Sequence, residues 1–363
     1  MSIRLCSSSF VFVAGLVAAS GFAAGCSAKS TTSVSPPSSA SASPSRTDWG
    51  WMWERRDARV PEDAFAVGTF NLDWAFDDHP DRRTKWARPH IAPNEDAWEW
   101  KRDRIVDVLL AQKLDIVVLT ELGGPRELYD IVSSMSANLD ASNYEYAMVG
   151  TGDMVFGKHV AVLSRFPLKN ERRTGSFAPM HMAVDVELPT GDEITVLAMH
   201  LAEGQNKGAV ERRMKMARSL KRRASRVAEH KPVLMLGTLG DSTLPETNDY
   251  YDSAAAVFSG QTNSQPSDDC RDSGLDVMAR RTAVNDNGAV DRIFSCGLEM
   301  RAAETSGDDL IVRQQQDPSN LPWTSVPVDS APHRDVSDHL VVWAEIVLPQ
   351  RDLEMDEGDL ILE

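Results

Sequence analysis

The sequence predicts an α/β protein that contains a mixed β-sheet. Short apolar runs typical of strands alternate with longer segments whose apolar residues recur at a helical period. Some of the short runs are apolar throughout, as in strands covered on both faces, whereas others are joined by a tight turn. These two kinds of strand indicate parallel and antiparallel pairs in one fold, with helices as covering layers.

The first half of the folded region alternates strands with helices. AFAVGTFNLDW (residues 64–74) predicts a strand with a polar end, and DAWEWKRDRIVDVLLAQ after it has a helical period. LDIVVLTEL is a continuous apolar run and predicts a buried strand that ends at Glu121. PRELYDIVSSM predicts a helix that begins at Pro125, because proline is favoured in the first helical turn.

The second half adds antiparallel strands and a basic helix. HVAVLSRFPL predicts a strand, and MAVDVELPTGDEITVLAMHL predicts a hairpin with PTGD as its turn. AVERRMKMARSLKRRASRVAEH predicts an amphipathic helix, whose Lys/Arg run indicates a solvated face more than a nucleic-acid patch. The strands KPVLMLG, AVDRIFSC and SDHLVVWAEIVL follow, with a long polar stretch after the first of them.

Composition narrows the classes of function. The 363 residues are 42% apolar and 25% charged, as in a soluble globular protein. The formal net charge of −16 argues against broad nucleic-acid binding, because neutralising phosphates requires clustered Lys and Arg. A phosphate substrate remains compatible with this charge, since bound divalent cations invert the local field.

The N-terminus predicts export and a membrane anchor. Residues 1–25 have an apolar stretch after Arg4 and end in small residues before Cys26, which resembles the signal of a bacterial lipoprotein. We expect a lipid at Cys26 and a location in the cell envelope; plain signal cleavage, giving a secreted or periplasmic product, is the alternative. Residues 26–49 are a Ser/Pro-rich tether and residues 351–363 an acidic tail, which leaves one domain at 50–350, expected to be a monomer.

Two cysteines remain in the predicted mature domain. Cys270 and Cys296 are candidates for a disulfide in an oxidising compartment, with buried free thiols as the alternative.

Polar residues recur where predicted strands meet the neighbouring loops. A rigid strand delivers such a side chain to a common rim, so several of them together indicate a site. The residues in these positions are Asn71, Glu121, His200, Asp291, Asp338 and His339.

The motifs that contain these residues resemble the endonuclease/exonuclease/phosphatase superfamily. FNLDW, DIVVLTEL, VAVLSRFPL, TVLAMHL, AVDRIF and VSDHL occur in the order and rough spacing of that group, which includes pancreatic-type deoxyribonuclease, abasic-site endonucleases, sphingomyelinases and inositol phosphatases. The resemblance spans about residues 64–349. It implies a four-layered α/β sandwich, with two mixed sheets face to face, helices outside, and the site on one edge.

The resemblance implies a metal centre. Glu121 would be the principal ligand of Mg²⁺ or Mn²⁺, hard ions that prefer carboxylates and water. Asn71, Asp73 and Asp338 would complete the metal side, directly or through water. An ordinary turn residue is the alternative for Asp73.

The resemblance also implies groups that act on a phosphate. His339 would contact the scissile phosphate or its attacking water, with Asp291 fixing the imidazole tautomer. His200 would donate to a phosphoryl oxygen as charge develops there. The alternative for Asp291 is a surface ion pair with Arg292.

One motif departs from the family pattern. After Gly237 the family has Asp-x-Asn, where the aspartate aligns the attacking water and takes its proton; this chain has Thr238 and Gly240, with Asp241 one residue later. Three interpretations follow: Asp241 (through a bulge) or His339 substitutes as base, the protein binds metal and phosphate but hydrolyses little, or its substrate supplies its own base or an unusually good leaving group. A neutral change in a fully active enzyme is the alternative to all three.

We therefore expect an exported metal-dependent phosphoester hydrolase, with a phosphate- or metal-binding protein of impaired activity as the alternative. Extracellular nucleic acid, a phospholipid headgroup and a small phosphoester are the candidate substrates.

Overall fold

The computed structural model describes most of the predicted domain. Its described residues are 12–13, 63–79, 87–137, 144–153, 155–173, 180–240, 253–260, 269–275, 282, 290–306 and 337–348. Cys26, Asp241, the tether and the acidic tail lie outside them, so the predictions for those parts, and the domain limits 50–350, stay predictions.

The described residues form thirteen strands. They are β1 Phe12–Val13, β2 Ala64–Ala75, β3 Ile116–Leu122, β4 Tyr146–Val149, β5 His159–Ser164, β6 Leu168–Arg173, β7 His181–Glu187, β8 Glu193–His200, β9 Val233–Thr238, β10 Arg271–Asp272, β11 Asp291–Cys296, β12 Met300–Thr305 and β13 Val342–Val347.

Three of the four described helices begin after a residue whose side chain accepts from a free backbone amide. Helix α1 is Glu95–Gln112, α2 is Pro125–Ser136, α3 is Lys207–Ala228 and α4 is Ala254–Ser259, with 3₁₀ turns at Arg88–His90 and Ser273–Leu275. The side chains of Asn94, Asn206 and Ser253 cap α1, α3 and α4 by accepting from the amide three residues on. None of the helices in the described part of the chain is long and apolar enough to span a membrane.

The strands form two mixed sheets. The first has the order β1-β4-β5-β3-β2-β13-β12 and the second the order β10-β11-β9-β8-β7-β6. The pairs β2–β3 and β8–β9 are parallel, whereas β7–β8, β9–β11 and β2–β13 are antiparallel. The parallel pairs are joined through α1 and α3, as right-handed crossover geometry favours.

Three apolar clusters define four layers. Between the sheets lie side chains from both of them, including Phe65, Val118, Val196 and Leu236. A second cluster joins the first sheet to α1 and α2, and a third joins the second sheet to α3 and α4. The predicted four-layered sandwich, with two mixed sheets inside and helices outside, is confirmed.

Two further sequence questions have structural answers. Cys270 and Cys296 are bonded, with an S–S distance of 2.03 Å, at the outer side of the second sheet. On α3 most basic side chains are exposed, as expected of a solvated face, but Arg213 and Lys221 are buried. Lys221 donates to the Phe258 carbonyl oxygen at 3.0 Å and so ties α3 to α4.

Candidate functional site

The polar strand-end residues meet at one edge of the sandwich because of strand direction. The regular pairing of parallel strands β2 and β3 stops at Asn71 and Thr120, next to Glu121. Parallel strands β8 and β9 end at His200 and Thr238, which are register partners. Antiparallel β11 begins beside them at Asp291, the partner of Thr238. The segment 337–341 precedes β13, which is antiparallel to β2, and so enters from the same edge.

The backbone at this edge is strained. Asp73, Trp74 and Glu121 have φ angles of 44°, 56° and 60°, a region that residues with a Cβ rarely occupy. The pairing of β2 with β3 also shifts register between Asn71 and Ala75. Such conformations cost about 1–3 kcal/mol each and cluster at functional sites, where they aim side chains.

Glu121 is the buried centre of the site. Its Oε1 accepts from Asn71 Nδ2 at 3.2 Å and lies 3.0 Å from His200 Nε2. Its Oε2 lies 2.7 Å from the Lys158 ammonium and accepts from the Trp74 amide at 3.3 Å. Burial opposes ionisation of the Glu121 carboxyl, but Lys158 and His200 hold its pKa well below the usual range.

His200 links two carboxylates. Its Nε2 lies 3.0 Å from Glu121 Oε1 and 3.0 Å from Glu203 Oε1. Burial lowers the pKa of His200, but hydrogen bonds to these two carboxylates outweigh that effect and raise the pKa to about 9. The imidazole is therefore a cationic donor at neutral pH in this arrangement.

Buried Asp291 and partly exposed His339 form a carboxylate–imidazole pair. Asp291 Oδ2 lies 2.5 Å from His339 Nδ1, so the other ring nitrogen, Nε2, is directed towards Asn71 at 3.3 Å. Burial opposes the charge on His339, but Asp291 raises its pKa to about 10. Asp291 is not a surface ion pair with Arg292, because both are buried and Arg292 instead bonds Asp272 at 2.6 Å.

Ser337 and Asn71 position the Asp291–His339 pair through hydrogen bonds. Ser337 Oγ donates to the Asn71 carbonyl oxygen at 2.8 Å and accepts from the His339 amide at 3.0 Å. The Asn71 amide group reaches Glu121, Thr238 and His339. Asn71 therefore lies between the carboxylate centre and the imidazole.

Thr238 closes the end of β9 with hydrogen bonds. Its Oγ1 donates to Asp291 Oδ1 at 2.6 Å and also lies 3.3 Å from Asn71 Nδ2 and 3.1 Å from Thr120 Oγ1. A hydroxyl in these contacts has no proton-accepting role near neutral pH. No carboxylate follows β9 before Gly240, where the described segment ends.

Gly240 is fixed against a neighbouring loop. Its φ is +69°, and a Cβ there would lie 2.8 Å from the Ala202 carbonyl oxygen. Buried Arg213 holds the two loops together by donating to the carbonyl oxygens of Ala202, Gly204 and Gly240 at 2.8 to 3.0 Å. An asparagine side chain at 240 is incompatible with this packing.

Strand β9 keeps its register up to the site. It pairs with β8 and β11 without a shift from Val233 to Thr238. The bulge at Gly237 that would bring Asp241 into the place of the missing aspartate is therefore not present; Asp241 itself lies beyond the described segment.

The residues present fit a hard divalent cation. Asp73 is buried, and its Oδ2 has no hydrogen-bond partner among the described residues. Burial raises the pKa of nearby Asp338 to about 6; Asp73 and Glu121 add to this, and His339 opposes it. Oxygen atoms of Asp73, Glu121 and Asp338 are the ligands that Mg²⁺ and Mn²⁺ prefer. Glu121, His200 and Glu203 also place one ligand atom each within 4.8 Å of one another.

A cavity of about 550 Å³ opens beside His200. Trp74, Phe156, Met180 and Met216 supply apolar lining, and Lys158 and Glu203 supply charges. The volume lies within the range of about 300–1,000 Å³ found for small-molecule sites.

The structure brings seven of the eight predicted residues to one edge. They are Asn71, Asp73, Glu121, His200, Asp291, Asp338 and His339; Asp241 is the eighth. Sequence reasoning missed Lys158, Glu203 and Trp74. Lys158 directly precedes β5, which is antiparallel to β3, so the strand-end argument applied to the starts of antiparallel strands would have found it.

Comparisons with known proteins agree on the fold. No protein-family model and no curated protein sequence matches the chain. An endonuclease/exonuclease/phosphatase from Bacteroides vulgatus is similar, with 15% identity, a TM-score of 0.52, and coverage of 79% of this chain and 99% of the other.

Two further solved structures are similar at the same level. The first is an endonuclease/exonuclease/phosphatase from Beutenbergia cavernae, with 18% identity, a TM-score of 0.51 and coverage of 79% and 72% of the two chains. The second is a humanized D. rerio TDP2, with 12% identity, a TM-score of 0.52 and coverage of 78% and 99%. The chain therefore has the fold of the endonuclease/exonuclease/phosphatase proteins.

Proposed function

We propose that the protein hydrolyses a phosphoester with the help of a divalent cation. One observation carries the proposal: the buried Glu121 centre and the Asp291–His339 pair meet at one edge, with Asn71 in contact with both. Carboxylates can hold a divalent cation. Directed hydrogen-bond donors suit a phosphoryl group whose negative charge increases during reaction. The fold, shared with phosphatases and nucleases, is compatible with this chemistry.

Mg²⁺ or Mn²⁺ would be held by Glu121, Asp73 and Asp338. Bound there, the cation would act as a Lewis acid towards a phosphoryl oxygen. Burial is the main cause of the raised pKa of Asp338, and repulsion from Asp73 and Glu121 adds to it. A cation would offset the mutual repulsion of these groups.

The protein's own groups would bind and orient the phosphate. Asn71 Nδ2 and His200 Nε2 are donors that both contact Glu121 Oε1, so they already lie at the proposed cation site. His339 would donate from Nε2 to a phosphoryl oxygen or to the leaving oxygen, because Asp291 engages its Nδ1.

Thr238 supports the alternative function, phosphoester binding with little turnover. Its hydroxyl donates to Asp291 and so does not accept a proton from the attacking water. General-base catalysis is worth about 10²- to 10⁴-fold, so turnover should be slow unless a group outside the described residues, such as Asp241, replaces the base.

A small phosphoester is the substrate class with most support. The cavity next to His200 is of small-molecule size, and the net charge of −16 disfavours long nucleic acid. Export, with a lipid at Cys26, remains our proposal for location. The Cys270–Cys296 disulfide supports an oxidising compartment.

The test is turnover of an aryl phosphodiester by the full chain with Mn²⁺, Mg²⁺ or EDTA. We expect slow hydrolysis that requires the cation and is lost in Glu121→Gln. Glu193→Gln, at the opposite end of β8, is the matched control and should retain it. Binding of a non-hydrolysable analogue without turnover would favour the alternative, and neither binding nor turnover would reject both.

A further inference from the structure

Lys158 occupies a place that a metal ion would also require. Its Nζ lies 2.7 Å from Glu121 Oε2 and 3.5 Å from Glu203 Oε1. The ammonium also lies 3.8 Å from the centroid of the Trp74 ring. Only 3% of the Lys158 side chain is exposed, so the protein holds this positive charge inside the site.

Three groups around Lys158 stabilise its ammonium charge. The Glu121 carboxylate provides an opposite charge, the Trp74 ring provides a cation–π contact, and Glu203 provides a second carboxylate within reach. A buried lysine retains its charge only with such partners, because transfer of an unpaired ion from water is unfavourable.

Each oxygen of the Glu121 carboxylate already has two donors. His200 and Asn71 engage Oε1, while Lys158 and the Trp74 amide engage Oε2. A divalent cation that binds Glu121 must therefore displace a donor. The Trp74 donor belongs to the backbone, the His200 donor to a rigid ring, and the Asn71 amide also contacts Thr238 and His339. Lys158 is therefore the donor that can move, towards Glu203, which is half exposed at 51%.

We propose that Lys158 is the counter-cation of Glu121 when no metal is bound, and that the ammonium and a divalent metal ion bind the Glu121 carboxylate in turn. On metal entry the ammonium moves away from Glu121 towards Glu203, where it lines the cavity next to His200. There it faces the space assigned to the phosphoester. The inference depends on the cation part of the proposed function, but not on hydrolysis.

Removal of the lysine charge should strengthen metal binding. Mn²⁺ binding to Lys158→Met, followed by electron paramagnetic resonance of the free ion, should be about 10- to 100-fold tighter than to the wild type. Lys221→Met is the matched control, because Lys221 is a buried lysine that donates to a backbone carbonyl on α4. Its Mn²⁺ affinity should equal that of the wild type.

Equal or weaker Mn²⁺ binding to Lys158→Met than to the wild type would overturn the proposal. Lys158→Met removes one of the two cationic partners of Glu121, leaving His200, and is expected to unfold more easily. Mn²⁺ should then raise its midpoint of thermal unfolding more than that of the wild type, because a ligand that binds only the folded state stabilises it. Lack of any such excess would count against the proposal.

The wild-type chain provides an independent readout. Acetic anhydride labelling with peptide mass spectrometry should find Lys158 protected without metal and labelled about tenfold faster with saturating Mn²⁺, in line with local opening of a buried group. Labelling of Lys221 should not change. Unchanged protection of Lys158, while Glu121→Gln abolishes Mn²⁺ binding, would show that the ion and the ammonium coexist.

Failure of this inference is distinguishable from failure of the proposed function. A protein that exchanges Lys158 for Mn²⁺ but never turns over a phosphodiester retains the inference and loses hydrolysis. A protein that hydrolyses with Mn²⁺ while Lys158 stays protected retains hydrolysis and loses the inference.

Discussion

Two parallel strand pairs end at the same edge of the fold but in different chemical states. The β2–β3 end has the carboxylates Asp73 and Glu121, both on left-handed backbone. The β8–β9 end has His200 and Thr238, on regular strand pairing. At the first end, buried carboxylates lie on strained backbone. At the second end, the Thr238 hydroxyl is hydrogen-bonded to Asp291.

The difference separates two tasks of a phosphoester hydrolase. Binding a cation requires oxygen ligands, and the β2–β3 end has them. Taking a proton from water requires a base, and the β8–β9 end has Thr238 at the position where the resemblance implies one, with Gly240 fixed against Ala202. The comparison therefore predicts strong binding and weak proton transfer.

The largest expected effect is a gain of activity at the β8–β9 end. Thr238→Asp introduces a carboxylate beside Asn71 and Thr120, which can donate to it, and next to Asp291, whose repulsion makes it a better base. We expect kcat on an aryl phosphodiester to rise about 10²- to 10⁴-fold, measured with Mn²⁺.

Thr238→Asn is the control for that gain, because it has the size of aspartate without the charge. It should leave kcat low. Gly240 is retained in both variants, since a Cβ there meets the Ala202 backbone at 2.8 Å. A folded Thr238→Asp protein with no gain would mean that the missing base does not limit the rate.

A large loss is expected at the β2–β3 end. Glu121→Gln removes the central carboxylate, so turnover should fall about 10²- to 10³-fold. It also breaks the buried ion pair with Lys158, which leaves the ammonium with only the more distant, half-exposed Glu203, and this should lower the free energy of unfolding by about 3–5 kcal/mol. Steady-state kinetics and urea denaturation measure the two effects, and wild-type values in both would contradict the assignment of Glu121.

An intermediate loss is expected where the two ends meet. Asp291→Asn keeps the size of the side chain but weakens its hold on His339 Nδ1. Turnover should fall about 10- to 100-fold, as for other groups that orient an imidazole. Mn²⁺ affinity should not change, and a parallel loss of Mn²⁺ binding would place Asp291 on the metal side instead.

The same contrast explains what the sequence could predict. Residue patterns were enough for an α/β protein with a mixed sheet, and the resemblance of the motifs implied the four-layered sandwich. Seven of the eight predicted residues lie at one edge, because strand direction decides which ends share an edge. The disulfide remained open from sequence, since only the pairing of β10 with β11 brings Cys270 near Cys296.

Other features depend on tertiary packing that local patterns do not encode. A lysine before a strand is ordinarily solvated, and only the close approach of Glu121 and Trp74 makes Lys158 part of the site. Likewise Arg213 looked like one more solvated basic residue of α3, yet it is buried and joins the loops after β8 and β9.

The smallest expected effect on turnover is that of a substitution at Asp185 on β7. This buried carboxylate is held by ion pairs with Arg172 and Lys231, away from the site edge. Burial opposes its ionisation, but Arg172, Lys231 and Thr195 hold its pKa well below the usual range. A lowered folded-state pKa contributes stability above the unfolded value of about 3.9, and that contribution is lost as pH falls further.

Asp185→Asn should therefore lower the free energy of unfolding by about 1–3 kcal/mol at pH 7, with unchanged kcat, and the difference from the wild type should shrink below about pH 3.9. Urea denaturation at pH 7 and pH 3 measures this. Both carboxylate oxygens of Asp185 are hydrogen-bonded to Arg172, whereas Asp73 has a left-handed backbone and an Oδ2 without a hydrogen-bond partner among the described residues. If Asp185→Asn reduced turnover as much as Glu121→Gln, burial of a carboxylate alone would account for both losses, and the contrast between strained and satisfied carboxylates would no longer identify the site.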